Sequence, residues 1–214
     1  MSDRTRAAAG YTRNVLAWYD LFVLGAVCPL VWRCHRREML AVYDRNVGAR
    51  HLDLGPGTGY FLGRCRFPAN PRLVLVDNSD TVLRTASRRA ARHRPVTRRR
   101  DVLDPLDLGD EVFDSVGMNF LLHCLPGGMA GKAAVFDRVL PYLAPGARIF
   151  GSTVLAHGVD HGPLAPRALA SLNGDGTMDN LDDSLDGLDA ELSARFTRYE
   201  LTVRGSVCLF EIET

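Results

Sequence analysis

The sequence predicts an α/β protein with a doubly wound, mostly parallel sheet that has an antiparallel last strand, preceded by an N-terminal helical lid. Two observations predict the sheet: apolar runs alternate with helical stretches between residues 49 and 155, and two strand-like runs near the end are separated by one glycine. Such alternation is typical of parallel strands with helices on both faces. A third observation predicts the lid, because residues 12–45 form a helical, aromatic-rich segment that is broken near Pro29. We therefore divide the chain into a helical cap, residues 1–46, and a sheet domain, residues 47–214.

Each strand of the parallel part lies between turn or helix signals; all are apolar runs except the third, which Pro95 begins and which continues through Arg100. The predicted strands cover residues 49–54, 73–76, 95–100, 113–118 and 148–155. Helical stretches follow at residues 80–93 and 132–143, and the Pro145-Gly146 turn leads into the fifth strand. The order strand, helix, strand is therefore maintained through the middle of the chain.

The end of the chain departs from this alternation. Residues 197–204 and 206–211 are strand-like runs with only Gly205 between them, which predicts a tight antiparallel hairpin. Residues 156–180 are rich in Gly, Asp and His, and we expect an irregular insertion over one end of the sheet. Long irregular segments of this kind are commonly lids or binding loops.

A glycine-rich turn follows the first strand. It comes directly after Asp53-Leu54 and reads Gly55-Pro56-Gly57-Thr58-Gly59. Glycines at such a turn let a ligand approach the backbone closely. The spacing is G-x-G-x-G, which differs from the G-x-G-x-x-G of dinucleotide-binding proteins. The Asp53 carboxylate would repel a pyrophosphate, whereas it suits a ligand amine.

Further polar side chains end the later strands at the same predicted edge. Asp77 ends the second strand, where an acidic residue can bind both ribose hydroxyls. Asp101 and Val102 follow the third strand and offer a carboxylate to an exocyclic amine and an apolar surface to an adenine ring. Asn119 reaches this edge from the fourth strand. An amine, a ribose and an adenine without a phosphate describe S-adenosylmethionine.

With these motifs the sequence resembles the class I S-adenosylmethionine-dependent methyltransferases, which have a Rossmann-like sheet. The likeness runs from about residue 47 through the D-x-G-x-G-x-G loop, the later acids, the F-D-S-V strand, the L-x-P-G-A-R-I-F turn and the reversed last strand. The resemblance implies that Asp53 and the backbone of residues 55–59 hold the methionine part of the cofactor. It also implies that Asp77 and Asn78 hold the ribose, and that Asp101 and Val102 hold the adenine.

The small size of the chain and the segments L-L-H-C-L-P-G and F-G-S-T narrow the resemblance to bacterial methyltransferases of secondary metabolism. A narrower likeness is to enzymes that methylate indole C3 of tryptophan-containing diketopiperazines. We expect methyl transfer to a small aromatic or heterocyclic natural product, with carbon, nitrogen and oxygen all open as the acceptor atom. An RNA-binding methyltransferase and a non-catalytic cofactor-binding module are the alternatives, although the intact loop and its acids favour an enzyme.

Aromatic side chains in the opening segment are the candidates for substrate contact. Tyr11, Trp18 and Phe22 are spaced to share one helical face, and Tyr19 adds an aromatic ring with a polar end. For Phe22 and Trp32, ordinary packing against the sheet is the competing interpretation. An aromatic lid would suit a flat, apolar substrate.

Methyl transfer also requires a proton to leave the acceptor, which calls for a modest base. The candidates are His123, just after the fourth strand, His157 and His161 in the insertion, and the pair Tyr19 and Asp20. His123 is also a candidate substrate contact. A structural histidine bonded to the backbone is the alternative interpretation of His123.

Charge and composition bear on the other partners. The net charge of +1 does not steer the whole chain toward nucleic acid or an anionic membrane. Residues 84–100 hold eight arginines and no acid, but Arg84, Arg88 and Arg92 recur as on a solvated helix face. Residues 175–191 hold seven acids, which suit the start of a helix. We therefore expect no nucleic-acid partner, and a homodimer that pairs the two blocks is compatible with the sequence.

Cysteine usage and hydropathy bear on the compartment. The five cysteines include no C-x-x-C pair, which argues against a zinc site or a disulfide scaffold, so no metal is expected. The cytoplasm is the expected location. The most apolar stretch, residues 15–32, contains Asp20 and Pro29 and is too short to span a bilayer, so no membrane partner is expected.

Overall fold

A computed structural model describes residues 23–214 of the protein. Its strands are β1 Arg50–Leu54, β2 Arg72–Asp77, β3 Val96–Arg99, β4 Phe113–Asn119, β5 Leu143–Val154, β6 Arg198–Arg204 and β7 Val207–Glu213. They form one seven-stranded sheet in the order β3-β2-β1-β4-β5-β7-β6. Strands β1 to β5 pair in parallel, and β7 is antiparallel to both β5 and β6. The expected parallel sheet with a reversed last strand is confirmed.

The helices of the described part are α1 Arg36–Asn46, α2 Asp80–Arg89, α3 Met129–Val139, α4 Ala165–Gly174 and α5 Leu185–Ser193. A π-helical turn, Val23–Val27, continues into Cys28–Leu30 before α1. Two helices start at serine caps, since Ser79 accepts a hydrogen bond from the Val82 amide and Ser184 accepts one from the Gly187 amide. The chain leaves the helical conformation between Leu30 and Arg36, so the expected break near Pro29 is confirmed.

The sheet separates two apolar clusters. Leu73 and Leu75 of β2 belong to the cluster that includes α1, α2 and α4, whereas Val74 and Val76 belong to the cluster that includes α3 and α5. This is the alternation of a pleated strand that is buried on both faces. Both faces of the sheet are therefore covered, as a doubly wound fold requires.

Helix α1 is part of the packing of the sheet. Met39, Val42 and Tyr43 are buried, and the Tyr43 ring meets Phe150 of β5 edge-on at a centroid distance of 4.9 Å. Trp32, just before α1, is also buried in this cluster, which matches its interpretation as a core residue. Residues 36–46, which the sequence places in the cap, thus contact the sheet directly.

The segment between β5 and β6 is more regular than the sequence predicts. Residues 156–180 contain helix α4, so the expectation of an irregular insertion is wrong for residues 165–174. Pro166 stands in the first turn of α4, where its fixed φ favours a helix. Ala165 and Leu169 anchor α4 in the apolar cluster on the α1 side of the sheet.

The topology places a crevice between β1 and β4. Strand β1 pairs with β2 on one side and with β4 on the other, so the chain connections diverge beyond the carboxyl ends of these two strands. Ligands of open α/β sheets bind at such a switch point.

Among residues 23–214, no helix is long and apolar enough to cross a membrane.

Candidate active site

A cavity lies at the carboxyl ends of β1, β2 and β4 and combines a polar wall with an apolar one. The polar wall carries most of the residues that the sequence indicates, namely Gly55, Gly57, Thr58, Asp77, Asn78 and Asp101. Val102 and Asn119 line the cavity as well. Of the predicted cofactor residues, Asp53 and Gly59 are not on its wall.

The glycine turn has a backbone that requires glycine. Gly55, Gly57 and Gly59 have φ values of 62°, 54° and 72°, in the left-handed region that other residues rarely adopt. A Cβ on Gly59 would lie 2.8 Å from the Cα of Ala86 in α2, so this glycine also permits close packing of the turn on α2. Gly57 faces open space, which leaves its backbone accessible to a ligand.

Asp53 lies behind this turn with one oxygen bound and one free. Its Oδ2 accepts hydrogen bonds from the Tyr43 hydroxyl at 2.8 Å and from His51 Nε2 at 3.2 Å. Its Oδ1 is buried and has no hydrogen-bond partner among the described residues. A buried carboxylate oxygen without a donor fits a ligand ammonium, either directly or through water.

A chain of buried polar groups supports Asp53 from behind. The Gly48 amide donates to Ser115 Oγ at 2.8 Å, and Ser115 Oγ lies 2.8 Å from His51 Nδ1. If His51 is protonated at Nε2, each of these groups has a hydrogen-bond partner, because its Nδ1 accepts from Ser115 and its Nε2 donates to Asp53. Gly117 of β4 makes room for the carboxylate, since a Cβ there would lie 2.8 Å from Asp53 Oδ2.

Asp77 and Asn78 occupy the next position along the sheet edge. Asp77 Oδ1 accepts the Ser79 amide at 2.7 Å, which leaves the rest of the carboxylate toward the cavity. Burial raises the pKa of Asp77 to about 6, and the hydrogen bond from Ser79 opposes this rise. Beyond β3, Asp101 Oδ1 accepts the Leu103 amide at 3.0 Å, and this turn brings Val102 against the same cavity.

His123 is buried and is held to the backbone of β5 through one ring nitrogen. Its Nδ1 accepts the Val154 amide at 3.1 Å and lies 3.4 Å from the Thr153 hydroxyl. Burial lowers the pKa of His123 to about 3, with a smaller contribution from the Lys132 ammonium. The side chain is buried and is not on the cavity wall. These contacts match the structural interpretation of His123 better than the role of a base or a substrate contact.

The other catalytic candidates are not at the cavity either. His157 is exposed, and its Nε2 pairs with the Leu181 carbonyl at 2.9 Å. His161 bridges the Ser206 hydroxyl and the Ala156 carbonyl, each at 2.8 Å. No cavity-lining residue among those described comes from residues 156–180, although that segment was expected to cover the site. The remaining candidates lie outside the described residues, namely Tyr11, Trp18, Tyr19, Asp20 and Phe22.

Sequence reasoning missed the apolar wall of the cavity. Leu24, Tyr43, Tyr60, Phe61, Phe120 and Leu121 line it. Tyr60 and Phe61 follow the glycine turn directly in sequence, and this proximity was an available signal. Tyr43 gave no such signal, because only the packing of α1 on the sheet brings it to the cavity.

Known proteins are similar to this chain in sequence and in fold. Residues 52–149 match the family described as a methyltransferase domain. The demethylluteothin O-methyltransferase of Streptomyces thioluteus is 38% identical over 207 residues, which cover 96% of this chain and 90% of that protein. The physcion biosynthesis cluster O-methyltransferase of Aspergillus chevalieri is 38% identical over 213 residues, which cover 99% and 96%.

A solved structure has the same fold at lower identity. The N-methyltransferase NodS from Bradyrhizobium japonicum, in complex with S-adenosylhomocysteine, superposes with a TM-score of 0.60 at 17% identity. The match covers 84% of this chain and 85% of that one. At this identity the likeness concerns the fold.

The chain therefore belongs to the class I S-adenosylmethionine-dependent methyltransferases. It is an enzyme, and its cofactor is S-adenosylmethionine. The residues present fit this group, because the free Asp53 Oδ1 suits a methionine ammonium and the described part of the polar wall has no basic side chain that would bind a phosphate.

Proposed function

We propose that the enzyme transfers the methyl group of S-adenosylmethionine to a small, flat, aromatic or heterocyclic natural product. The observation that carries the proposal is the apolar wall of the cavity, in which Tyr60, Phe61 and Phe120 stand beside the glycine turn. Apolar and aromatic walls with few polar groups are typical of sites for such ligands. The names of the two relatives refer to demethylluteothin and to a physcion biosynthesis cluster, which supports a small biosynthetic product.

Within this proposal each part of the polar wall has one task. Asp53 and the backbone of residues 55–59 hold the methionine part, Asp77 and Asn78 the ribose, and Asp101 and Val102 the adenine. The bound cofactor supplies a methyl group on a cationic sulfur, which is an electrophile of high intrinsic reactivity. The protein contributes alignment and the exclusion of water, and the apolar wall serves both.

The opening segment completes the proposal on the substrate side. Tyr11, Trp18, Tyr19 and Phe22 are proposed to close over the acceptor, and Tyr19 with Asp20 is the candidate base for an acceptor that keeps its proton. His123 and His157 use ring nitrogens in hydrogen bonds away from the cavity, which favours Tyr19 with Asp20 over them. Indole C3 as the acceptor stays a prediction.

The cofactor assignment is tested by calorimetry with S-adenosylhomocysteine. We expect an affinity on the order of micromolar and no binding of nicotinamide dinucleotides. Asp77→Ala should weaken binding by about 1.5–3 kcal/mol, because a charged acceptor of the ribose hydroxyls is lost. The exposed Asp110 offers a matched control, and Asp110→Ala should bind as the wild type does.

The pH dependence of this affinity gives a second measure of the same assignment. The ribose hydroxyls donate to the ionised Asp77, whose pKa is about 6 in the free protein. Affinity should therefore level off as pH rises well above 6 and should fall as pH drops below it, by up to about tenfold per unit. In Asp77→Asn this fall should disappear. Unchanged affinity in Asp77→Ala, or tight dinucleotide binding, would contradict the assignment.

A further inference from the structure

Among the described residues, Asn119 is the one amide side chain on the cavity wall besides Asn78, and it stands at the opposite end from the predicted adenine site. It is the last residue of β4 and lies beside Ser152 of β5 in the strand register. The adenine residues Asp101 and Val102 follow β3, at the other side of β1 and β2 in the sheet. Asn119, which the sequence places among the cofactor residues, therefore lies on the side of the cavity that the cofactor's base and sugar leave open, next to the strand that holds the methionine part.

The orientation of the Asn119 amide is fixed by Ser152. The Phe120 amide donates to Ser152 Oγ at 3.3 Å, so the buried Ser152 hydroxyl is free to donate to Asn119 Oδ1, which lies 2.5 Å away. The flipped amide would leave the Ser152 proton without an acceptor, which is costly in a buried site. Asn119 Oδ1 thus points toward β5 and is already bound.

The Asn119 amino group consequently points away from β5 and lacks a strong partner. Its contact among the described residues is the Met39 sulfur at 3.6 Å, and a thioether is a weak acceptor. The surrounding wall includes Phe61, Phe120 and Leu121. A donor in apolar surroundings forms its strongest hydrogen bonds with anionic oxygen.

The backbone at Phe120 supports a functional role for this corner. Phe120 has a φ of 55°, a left-handed conformation that is unfavourable for a bulky side chain. The conformation is held by the Phe120 amide, which also donates to the Ser152 carbonyl at 2.8 Å. Such outliers cluster at active sites. Ser152 therefore fixes both the Asn119 amide and the turn that follows it.

We infer that Asn119 determines the specificity for the methyl acceptor, and that the acceptor is an acidic hydroxyl, a phenol or an enol, bound as its anion with the oxygen accepting the Asn119 N–H. The inference rests on the proposed function and specifies its acceptor atom. An amine or an indole would present an N–H to the Asn119 amide, whose carbonyl already accepts from Ser152.

The chemistry balances without a base in the pocket. The hydroxyl proton goes to solvent before binding, since an acidic phenol or enol is ionised at neutral pH. An oxygen lone pair forms the C–O bond while the methyl–sulfur bond breaks and its electron pair goes to sulfur. An anion and a sulfonium thus give an ether and a neutral thioether, so charge is consumed in the transfer.

The test uses para-nitrophenol and para-nitroaniline, which have nearly the same shape, on the protein saturated with S-adenosylhomocysteine. The absorbance of the phenolate, followed against pH, reports its ionisation in the site. We expect the bound phenol to have an apparent pKa about one unit below its value in water, because the Asn119 N–H favours the anion. Para-nitroaniline should bind at least about tenfold more weakly.

Variants separate the role of Asn119 from that of the fold. Asn119→Leu removes both amide groups at similar size, and we expect it to abolish the pKa shift of the phenol and its preferential binding. Ser152→Ala frees the amide to rotate and should give an intermediate effect. Met39→Leu preserves the apolar volume next to Asn119 and is the matched control, with the wild-type shift expected.

Each outcome decides one question. If wild-type protein fails to bind S-adenosylhomocysteine, the proposed function is wrong. If it binds this compound but binds para-nitroaniline with the same affinity as para-nitrophenolate, only the inference about the acceptor is wrong. The same conclusion holds if it binds neither of the two. The same holds if Asn119→Leu weakens S-adenosylhomocysteine and not the phenolate, since Asn119 would then serve the cofactor. Thermal unfolding establishes that each variant is folded. If Asn119→Leu is not folded, Ser152→Ala takes its place as the deciding variant.

Discussion

His51 and Ser115 orient the Asp53 carboxylate from behind, although neither lines the cavity. Both are fully buried, and His51 also stacks on Phe150 at a centroid distance of 5.7 Å, which holds the ring in its plane. Because Oδ2 is bound by His51 and Tyr43, Oδ1 is left as the free oxygen of the carboxylate. A buried carboxylate that keeps one oxygen unpaired is costly, and a bound ammonium removes that cost.

Replacement of His51 tests this arrangement. His51→Phe keeps the aromatic packing on Phe150 but removes the hydrogen bond to Asp53, which should weaken S-adenosylhomocysteine about tenfold because bonds to charged groups contribute about 1.5 kcal/mol or more. Ser115→Ala leaves the His51–Asp53 contact in place and should have a smaller effect. Calorimetry measures the affinity, and thermal unfolding reports stability separately. An affinity equal to that of the wild type in His51→Phe would mean that Tyr43 alone orients Asp53.

At the scale of single residues, the sequence indicates the polar wall better than what supports it. Asp77, Asp101 and Asn119 come at the ends of predicted strands, and a parallel sheet brings such ends together, so their convergence followed from order alone. His51 lies two residues before Asp53 and therefore on the same face of β1, which was an available signal. The contact of Tyr43 with Asp53 depends on where α1 packs, and no local pattern specifies that.

Among the elements, α3 is tied to the segment before α5 by a buried ion pair. Lys132 Nζ donates to both Asp183 oxygens, at 2.8 and 2.6 Å, and to the Asp179 carbonyl. Asp179 in turn accepts the Gly127 amide with its side chain and donates its own amide to the His123 carbonyl. Lys132 thus fixes a turn that holds the residues after β4, which form one wall of the cavity.

Removal of one partner of this pair should be far more damaging than removal of both. Lys132→Met leaves Asp183 buried and unpaired, and we expect a loss of about 3–5 kcal/mol in the free energy of unfolding. Lys132→Met combined with Asp183→Leu should recover most of it, because no charge is then left buried. Denaturant unfolding measures both. Equal stability of the single and double variants would show that the pair is not coupled.

The sequence predicted best those elements that are clearly bounded by turn or helix signals. The strands β1 to β4 lie within one residue of the expected bounds, since the turn and helix signals on either side leave little choice. Helix α4 was missed because Gly, Asp and His on either side conceal its Ala- and Leu-rich run. The helix expected over residues 132–143 ends at Val139, because Pro141 cannot continue it.

For the molecule as a whole, the arginine block of residues 84–100 is partly exposed to solvent and partly in contact with acids. Arg84, Arg88 and Arg92 are exposed as the solvated-face interpretation requires. Part of the remaining block is paired with nearby acids, since Arg99 contacts Asp80 at 3.1 Å and Arg100 contacts Asp107 at 3.7 Å. The local field toward a polyanion is thereby reduced, although exposed pairs of this kind contribute little to stability.

This distribution predicts weak interaction with RNA. Near physiological ionic strength we expect no salt-dependent binding, because we interpret the exposed arginines as a solvated helix face, and two further arginines of the block already contact acids. Fluorescence anisotropy with a labelled single strand at two salt concentrations measures this, and the Arg84/Arg88/Arg92 triple alanine variant is the comparison. Affinity that falls several-fold when the salt is doubled, and that vanishes in the variant, would favour the RNA-binding alternative.

The burial of Lys132 has a practical consequence for handling the protein. It is the only lysine of the chain, and none of its surface is exposed. Acylating reagents, amine-coupled sensor surfaces and lysine-directed cross-linkers thus find no side-chain amine on the folded protein. The rate at which Lys132 is modified therefore reports how often the fold opens so that α3 separates from Asp183. A ligand that closes the cavity should slow this modification.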